Sequence, residues 1–254
     1  MGFERLTVLC AKAGLCSRSE AARYIRLGLV AVNGEPTQNT AALVPSDASV
    51  SLLSRGQRMQ ASKVTLMLHK PLHYVSCRAT GGRPSARSLL TPANRSCSCA
   101  TRHDPRQMSR LAAADALEES LTGILVFSQD GRVATHVSRS QDLEKEYRVL
   151  VPGEVTPSQL AALSEGLALS AEGGPGSVEC SALRAEDVSG GSELRVAVRG
   201  RLAPGGLRRA CCRAGLRHEA IARTRLGRLR LSGLAPGRWA LVSAADLLPP
   251  ASGR

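Results

Sequence analysis

Ten arginines fall between Arg199 and Arg230 (199, 201, 208, 209, 213, 217, 223, 225, 228 and 230), against one acid, Glu219. Guanidinium groups in place of lysines favour forked hydrogen bonds to phosphate and stacking on bases. The whole chain of 254 residues carries a net charge of +13. A polyanionic partner is therefore expected, and nucleic acid is the first of these. Upstream lies a segment of opposite character, Asp115-Ala-Leu-Glu-Glu-Ser-Leu-Thr-Gly-Ile-Leu-Val-Phe-Ser-Gln-Asp-Gly131. Its Asp115, Glu118 and Glu119 form an acidic cluster that repels phosphate locally. The chain has only six aromatics: Phe3, Tyr24, Tyr74, Phe127, Tyr147 and Trp239. Its core must come mainly from Leu, Val, Ala and Ile.

Metal chemistry is not indicated. The eight cysteines form no C-x-x-C pair, and Cys97-Ser-Cys99 and Cys211-Cys212 are too closely spaced to make a zinc site alone. His69 and His73 lie four apart with no third ligand in a sensible place. Free thiols in a reducing compartment are expected. No run of about 18 apolar residues suggests a membrane span, and the N-terminus shows no signal peptide.

These residues need elements to hold them. Glu4 to Ala13 reads as a helix stopped by Gly14. Ser17-Arg-Ser-Glu20 is a capping box that opens a second helix, ending at Gly28. Ala21, Ala22 and Ile25 face inward on it, and Arg18 and Arg26 face out. Leu29 to Val32 and Ala48 to Leu53 read as strands, with Asn33-Gly34 a hairpin turn. Ser54 to Lys63 is polar and unpatterned and reads as a linker, so the chain divides into residues 1–62 and 63–254. Further on, Val64 to Leu68, Ile124 to Phe127, Lys145 to Val151 and Leu194 to Val198 read as strands. Thr156 to Glu165 reads as a short helix stopped by Gly166. The Arg- and Ser-rich stretch from Thr91 to Arg110 reads as a mobile loop.

From Ala11 to Gly34 the run A-x-A-G-x-x-S-R-x-E-A, then I-x-x-G-x-V-x-V-N-G, closely resembles the S-four (alpha-L) RNA-binding domain. That resemblance implies a small basic surface gripping structured RNA through Arg5, Ser17, Arg18 and Arg26. The rest of the chain resembles the RsuA/RluB-type rRNA pseudouridine synthases. His69-Lys-Pro-Leu-His-Tyr-Val-Ser76 is similar to their N-K-P-x-G-Y-V-S, and Lys145-Glu-Tyr-Arg-Val149 to K-x-Y-x-V. Leu207-Arg-Arg-Ala-Cys-Cys-Arg-Ala-Gly215 is similar to the R-Q-V-R-R-M helix, Ala222 to Gly227 to R-x-R-x-G, and Pro236-Gly-Arg-Trp239 to P-G-x-W. The implied fold is α+β: a small S-four domain, then a mixed, mostly antiparallel sheet flanked by helices.

The resemblance also implies chemistry that needs no cofactor and no metal. One ionised aspartate, an aromatic beneath the base and a cation holding the carboxylate isomerise a uridine that has left the stack. The family pattern G-R-L-D-x-x-T/S-x-G-L-L aligns without gaps on Leu117, Gly123 and Leu125. Its aspartate then falls on Glu118, and its Gly-Arg pair on Asp115 and Ala116. Asp115 takes the aspartate's place only if three residues loop out before Gly123. On the gapless alignment the site is Glu118, Tyr147 and Arg208, with Lys70, Lys145, Arg209, Arg223 and Arg225 on the RNA. A glutamate there displaces the carboxylate by roughly 1 Å, enough to cost about a hundredfold.

The expected function is then a catalytically degenerate rRNA-binding protein. Its expected partners are ribosomal RNA, a ribosomal subunit precursor and assembly proteins, with no membrane. By analogy with degenerate rRNA enzymes its expected place is the mitochondrion. The alternatives are an active synthase using Glu118, and an RNA-binding regulator whose larger domain serves a protein contact.

Overall fold

A computed structural model of the chain describes residues 2–79, 81–96, 108–172, 177–188 and 190–249. The architecture is α+β. The N-terminal part runs β1 (Phe3–Arg5), α1 (Leu6–Lys12), α2 (Arg18–Arg26), β2 (Val30–Val32), β3 (Glu35–Thr37), β4 (Leu43–Pro45), β5 (Val50–Leu52) and α3 (Ser54–Ala61). The capping box forms as its spacing requires: Ser17 Oγ accepts from the Glu20 amide, and Glu20 reaches back to the Ser17 amide at 2.8 Å. Leu6, Leu9, Ala21, Tyr24 and Ile25 close a core against Leu29, Val30 and Leu52.

Three expectations are corrected here. The first helix begins at Leu6 rather than Glu4, because Phe3–Arg5 pairs with β4 instead. The supposed linker is largely the helix α3. Its buried face consists of Gly56, against the Leu29 backbone, and Gln60, which accepts from the Tyr24 hydroxyl at 3.1 Å. Neither residue registers as apolar periodicity, so the helix was not visible in the sequence. On α2 it is Tyr24, not Ala22, that joins Ala21 and Ile25 inside.

The larger part runs β6 (Thr65–Lys70), β7 (Ala112–Ala114), β8 (Thr122–Ser128), α4 (Gly131–Arg139), β9 (Lys145–Pro152), α5 (Pro157–Leu169), β10 (Val178–Val188), β11 (Gly191–Gly200), α6 (Gly206–Arg213), β12 (Ala220–Leu226), β13 (Leu229–Arg230) and β14 (Trp239–Val242). Among the described residues these strands make a nine-stranded sheet of order β10-β11-β9-β12-β8-β6-β14, with β13 on β12 and β7 on β8. All pairings are antiparallel except β12 with β8. One face carries Leu66, Leu68, Leu125, Phe127 and Val149 under α5 and α6. The other carries Met67, Ile124 and Val126 under α4.

Helix α5 runs on past the expected stop at Gly166. That glycine lets α6 approach, since a Cβ there would lie 3.1 Å from the Ala210 Cα. Within the stretch expected as a mobile loop, Pro92–Asn94 forms a short 3-10 turn. Residues 97–107, with Cys97 and Cys99, lie outside the described residues. Cys10, Cys16, Cys77, Cys211 and Cys212 are free thiols.

Candidate active site

The central feature is a cavity of about 350 Å³ whose wall includes Asp115, Glu118, Lys145, Tyr147, Arg201 and Arg223. That size lies within the range of small-molecule pockets. Asp115 is the first residue after β7, in a left-handed conformation at φ 55°. Aspartate tolerates this region better than most residues. The turn aims its carboxylate inward, where Arg223 NH1 donates to Oδ2 at 2.5 Å and Lys145 Nζ lies 3.0 Å from the same oxygen. Arg223 NH2 also donates to the Asp115 carbonyl at 3.1 Å, and its Nε to the Ile124 carbonyl at 2.8 Å. Burial alone would raise the Asp115 pKa. The charges of Arg223 and Lys145 outweigh it and hold the carboxyl below its usual range.

The sheet explains this convergence. Arg223 stands opposite Gly123 in the parallel β12–β8 pair and opposite Tyr147 in the β12–β9 pair. The approach at Gly123 is so close that a Cβ there would lie 2.6 Å from the Arg223 amide nitrogen and overlap its carbonyl oxygen. Lys145 and Tyr147 alternate on β9, so both point to the same face. The Tyr147 ring borders the cavity and is otherwise buried, which raises its phenol pKa.

Residues 116–121 loop out between Asp115 and β8, and the loop is clamped on both sides. Buried Ser76 donates its hydroxyl to the Leu117 carbonyl at 2.6 Å and accepts the Leu117 amide at 2.9 Å. The Glu119 carbonyl accepts from the His73 amide at 3.1 Å and lies 3.4 Å from Lys70 Nζ. Across the cavity mouth, Glu118 Oε1 accepts the Gly205 amide at 2.6 Å.

Several expected roles therefore change. Glu118 lines the cavity, but its carboxylate is tied to the start of α6, and Asp115 is the one held by two buried cations. Arg208 does not pair with Glu118. It is exposed and reaches Ser120 Oγ at 3.4 Å, because Leu207, Ala210 and Cys211 are the face of α6 that packs inward. Arg223 and Lys145, expected on RNA phosphates, are 1% and 4% exposed and belong to the Asp115 cluster. Lys70 is wholly buried and donates to the Pro71 and Tyr74 carbonyls, both at 2.9 Å. Burial pushes its pKa down to about 8. Arg225 is engaged by Glu144 and Glu146. Ser17 is turned into its own capping box beside Gly131. Arg5, Arg18, Arg26 and Arg209 are exposed. Asp115 was readable in the sequence only as the looped alternative. Its signal was the strand-like Leu111 to Ala114 just before it, masked by three alanines with no apolar alternation.

A carboxylate, an aromatic wall and fixed cations thus share one cavity, in a chain whose N-terminal α+β module carries exposed arginines. Comparison with known proteins makes this specific. Residues 4–49 match the S4 domain. The dual-specificity RNA pseudouridine synthase RluF of Escherichia coli K12 is 25% identical over 252 residues, spanning 96% of this chain and 77% of its own. The ribosomal large subunit pseudouridine synthase B of Yersinia pestis is 27% identical over 257 residues, 93% of this chain and 71% of its own. A crystal structure of a pseudouridylate synthase, 19% identical, has the same fold, with a TM-score of 0.55 over 96% of this chain and 97% of that one. Over nearly its whole length the chain is thus similar to bacterial RNA pseudouridine synthases, with an S4 domain at the N-terminus.

Among the described residues no helix is long and apolar enough to cross a membrane.

Proposed function

We propose that this protein is an active pseudouridine synthase on structured ribosomal RNA, with Asp115 as its catalytic carboxylate. The observation that carries this reading is the ionised Asp115 between Arg223 and Lys145, facing a cavity walled by Tyr147. The reaction breaks the bond between uracil N1 and ribose C1′, turns the base, and joins C5 to C1′. The C5 proton is lost and N1 gains one, so the product is an isomer. Tyr147 offers the flat wall for the flipped uracil, whose unstacking costs a few kcal/mol. Arg223 and Lys145 keep Asp115 charged at every physiological pH and fix its direction, the pre-arrangement that electrostatic catalysis needs. The relatives named for rRNA and RNA pseudouridine synthesis support the substrate class.

The test is pseudouridine mapping on ribosomal RNA from cells with and without the protein, complemented by wild type, Asp115→Asn or Glu118→Gln. The expected result is a uridine modified by wild type and by Glu118→Gln but not by Asp115→Asn. Loss with Glu118→Gln and retention with Asp115→Asn would return the role to Glu118.

A second reading, a degenerate rRNA-binding protein acting in organellar ribosome assembly, draws on one observation. Where the family pattern has Gly-Arg-Leu before its aspartate, this chain has Ala112-Ala113-Ala114. No modified uridine, together with accumulation of immature ribosomal particles on deletion, would favour it.

A further inference from the structure

A second half-buried carboxylate, Glu20, joins the two parts of the molecule. Its Oε2 accepts the Ser17 amide and the Ser17 hydroxyl, both at 2.8 Å, within the S4 capping box. Its Oε1 turns outward to accept the Gly131 amide at 2.9 Å and the Lys63 ammonium at 2.6 Å. The Lys63 and Glu20 side chains are only 9% and 12% exposed. Beside them Arg132 donates to the Gly14 carbonyl at 2.9 Å while its other nitrogens hold Asp130. Fit is tight: a Cβ on Gly131 would overlap Ser17 Oγ and lie 2.7 Å from Ser17 Cβ. The turn from Gly14 to Ser17, which starts the arginine-bearing helix α2, is thus clasped by the start of α4.

The other end of α4 reaches the candidate active site, because the Asp115 amide donates to Ser138 Oγ at 3.2 Å. Ser138 lies seven positions after Gly131, roughly 10 Å along the helix. One stiff element therefore touches the S4 module with its first residue and the catalytic turn near its last. Arg18 and Arg26 project from α2, whose first turn is fixed by the same joint.

We propose that Glu20 and Gly131 are positioning residues. They lock the S4 domain and the synthase domain into one unit in which α4 sets the span from the S4 grip to the Asp115 cavity, and that span selects which uridine is presented. The inference rests on the reading of the cavity as the place of uridine isomerisation. The ligand it implies is one continuous folded RNA, held at two points a fixed distance apart, so the second contact forms at high effective concentration.

The test uses Gly131→Ala in the full chain. Gly131 has no left-handed backbone requirement and alanine favours helix, so α4 keeps its start while the methyl group collides with Ser17. Hydrogen exchange of the 131–139 peptide should rise. The kcat/KM on full-length ribosomal RNA should fall about tenfold, while a short hairpin carrying the same uridine is turned over at the wild-type rate. The double variant Gly131→Ala, Ser17→Gly removes the colliding atoms, glycine being tolerated at an N-cap. It should restore both exchange protection and turnover of the long RNA.

Unchanged exchange in Gly131→Ala would overturn the closed joint. Raised exchange with unchanged selectivity between the two RNAs would overturn the ruler. Wild-type protein inactive on both RNAs would instead overturn the isomerase reading on which the inference depends.

Discussion

Asp115 and Glu20 are built alike and used differently. Each is a carboxylate taken largely out of water and compensated by a buried cation, Arg223 with Lys145 in one case and Lys63 in the other. In each, burial alone would raise the pKa, and the surrounding donors and charges win and lower it. The difference is what lies on the open side. Glu20 spends its oxygens on Ser17, Gly131 and Lys63, filling its surroundings with donors from its own helix and the next domain. Asp115 stands on a left-handed turn at the wall of a cavity, held from behind. A depressed carboxylate pKa thus does not mark a catalytic group by itself; the proposal for Asp115 rests on the space beside it.

The largest contrast should come from neutralising each group. Asp115→Asn keeps the shape and should reduce pseudouridine formation to background on any RNA, with RNA affinity retained in filter binding. Glu20→Gln should leave turnover of a short hairpin close to wild type. A dead Glu20→Gln enzyme on the hairpin would break the contrast.

Stability separates the two next. Arg223→Met leaves Asp115 with a single cation and removes bonds to the Ile124 and Asp115 carbonyls, so it should cost about 3–5 kcal/mol in urea unfolding. Lys63→Met leaves Glu20 its Ser17 and Gly131 donors and should cost about 1–3 kcal/mol. Equal losses would mean the joint is as deeply committed to folding as the site.

Acid comes third. Both carboxyls have folded-state pKa values below their unfolded ones, so each contributes stability above about pH 4 that is lost as pH falls through the folded value. The stability gap between wild type and either Asp115→Asn or Glu20→Gln should therefore narrow below about pH 4. A gap that stays constant down to the acid transition would mean that charge is not what these residues supply.

A separate pH window belongs to Lys70, whose folded pKa is pushed down to about 8. The unfolded chain keeps that proton longer, so this residue makes stability rise between about pH 8 and about pH 10. The difference in urea midpoint between wild type and Lys70→Met should change over that range and nowhere else.

Much of the scaffold was legible in the residues. The capping box at Ser17 and Glu20, the turn at Asn33-Gly34, the strand carrying both Lys145 and Tyr147, and Gly123 all took the places their chemistry demands. Helix α3 was not legible, because its buried face is a glycine and a glutamine. Nor were the buried roles of Lys70, Lys145 and Arg223, since a cation in a basic chain looks the same whether it faces phosphate or carboxylate.

By itself the sequence pointed to a small S4-type module before an α+β domain of pseudouridine synthase type, and to Glu118, with Asp115 as the looped alternative, near a strand tyrosine. Only the tertiary structure put Asp115, rather than Glu118, between two buried cations. Local spacing favoured Glu118, but the loop at 116–121 is pinned by Ser76, His73 and Lys70 from a distant strand and its following turn. The parallel pairing of β8 with β12 then carries Arg223 to Asp115 from 108 residues away. A buried charge finds its partner through packing across the sheet, and that distance in sequence leaves no local trace.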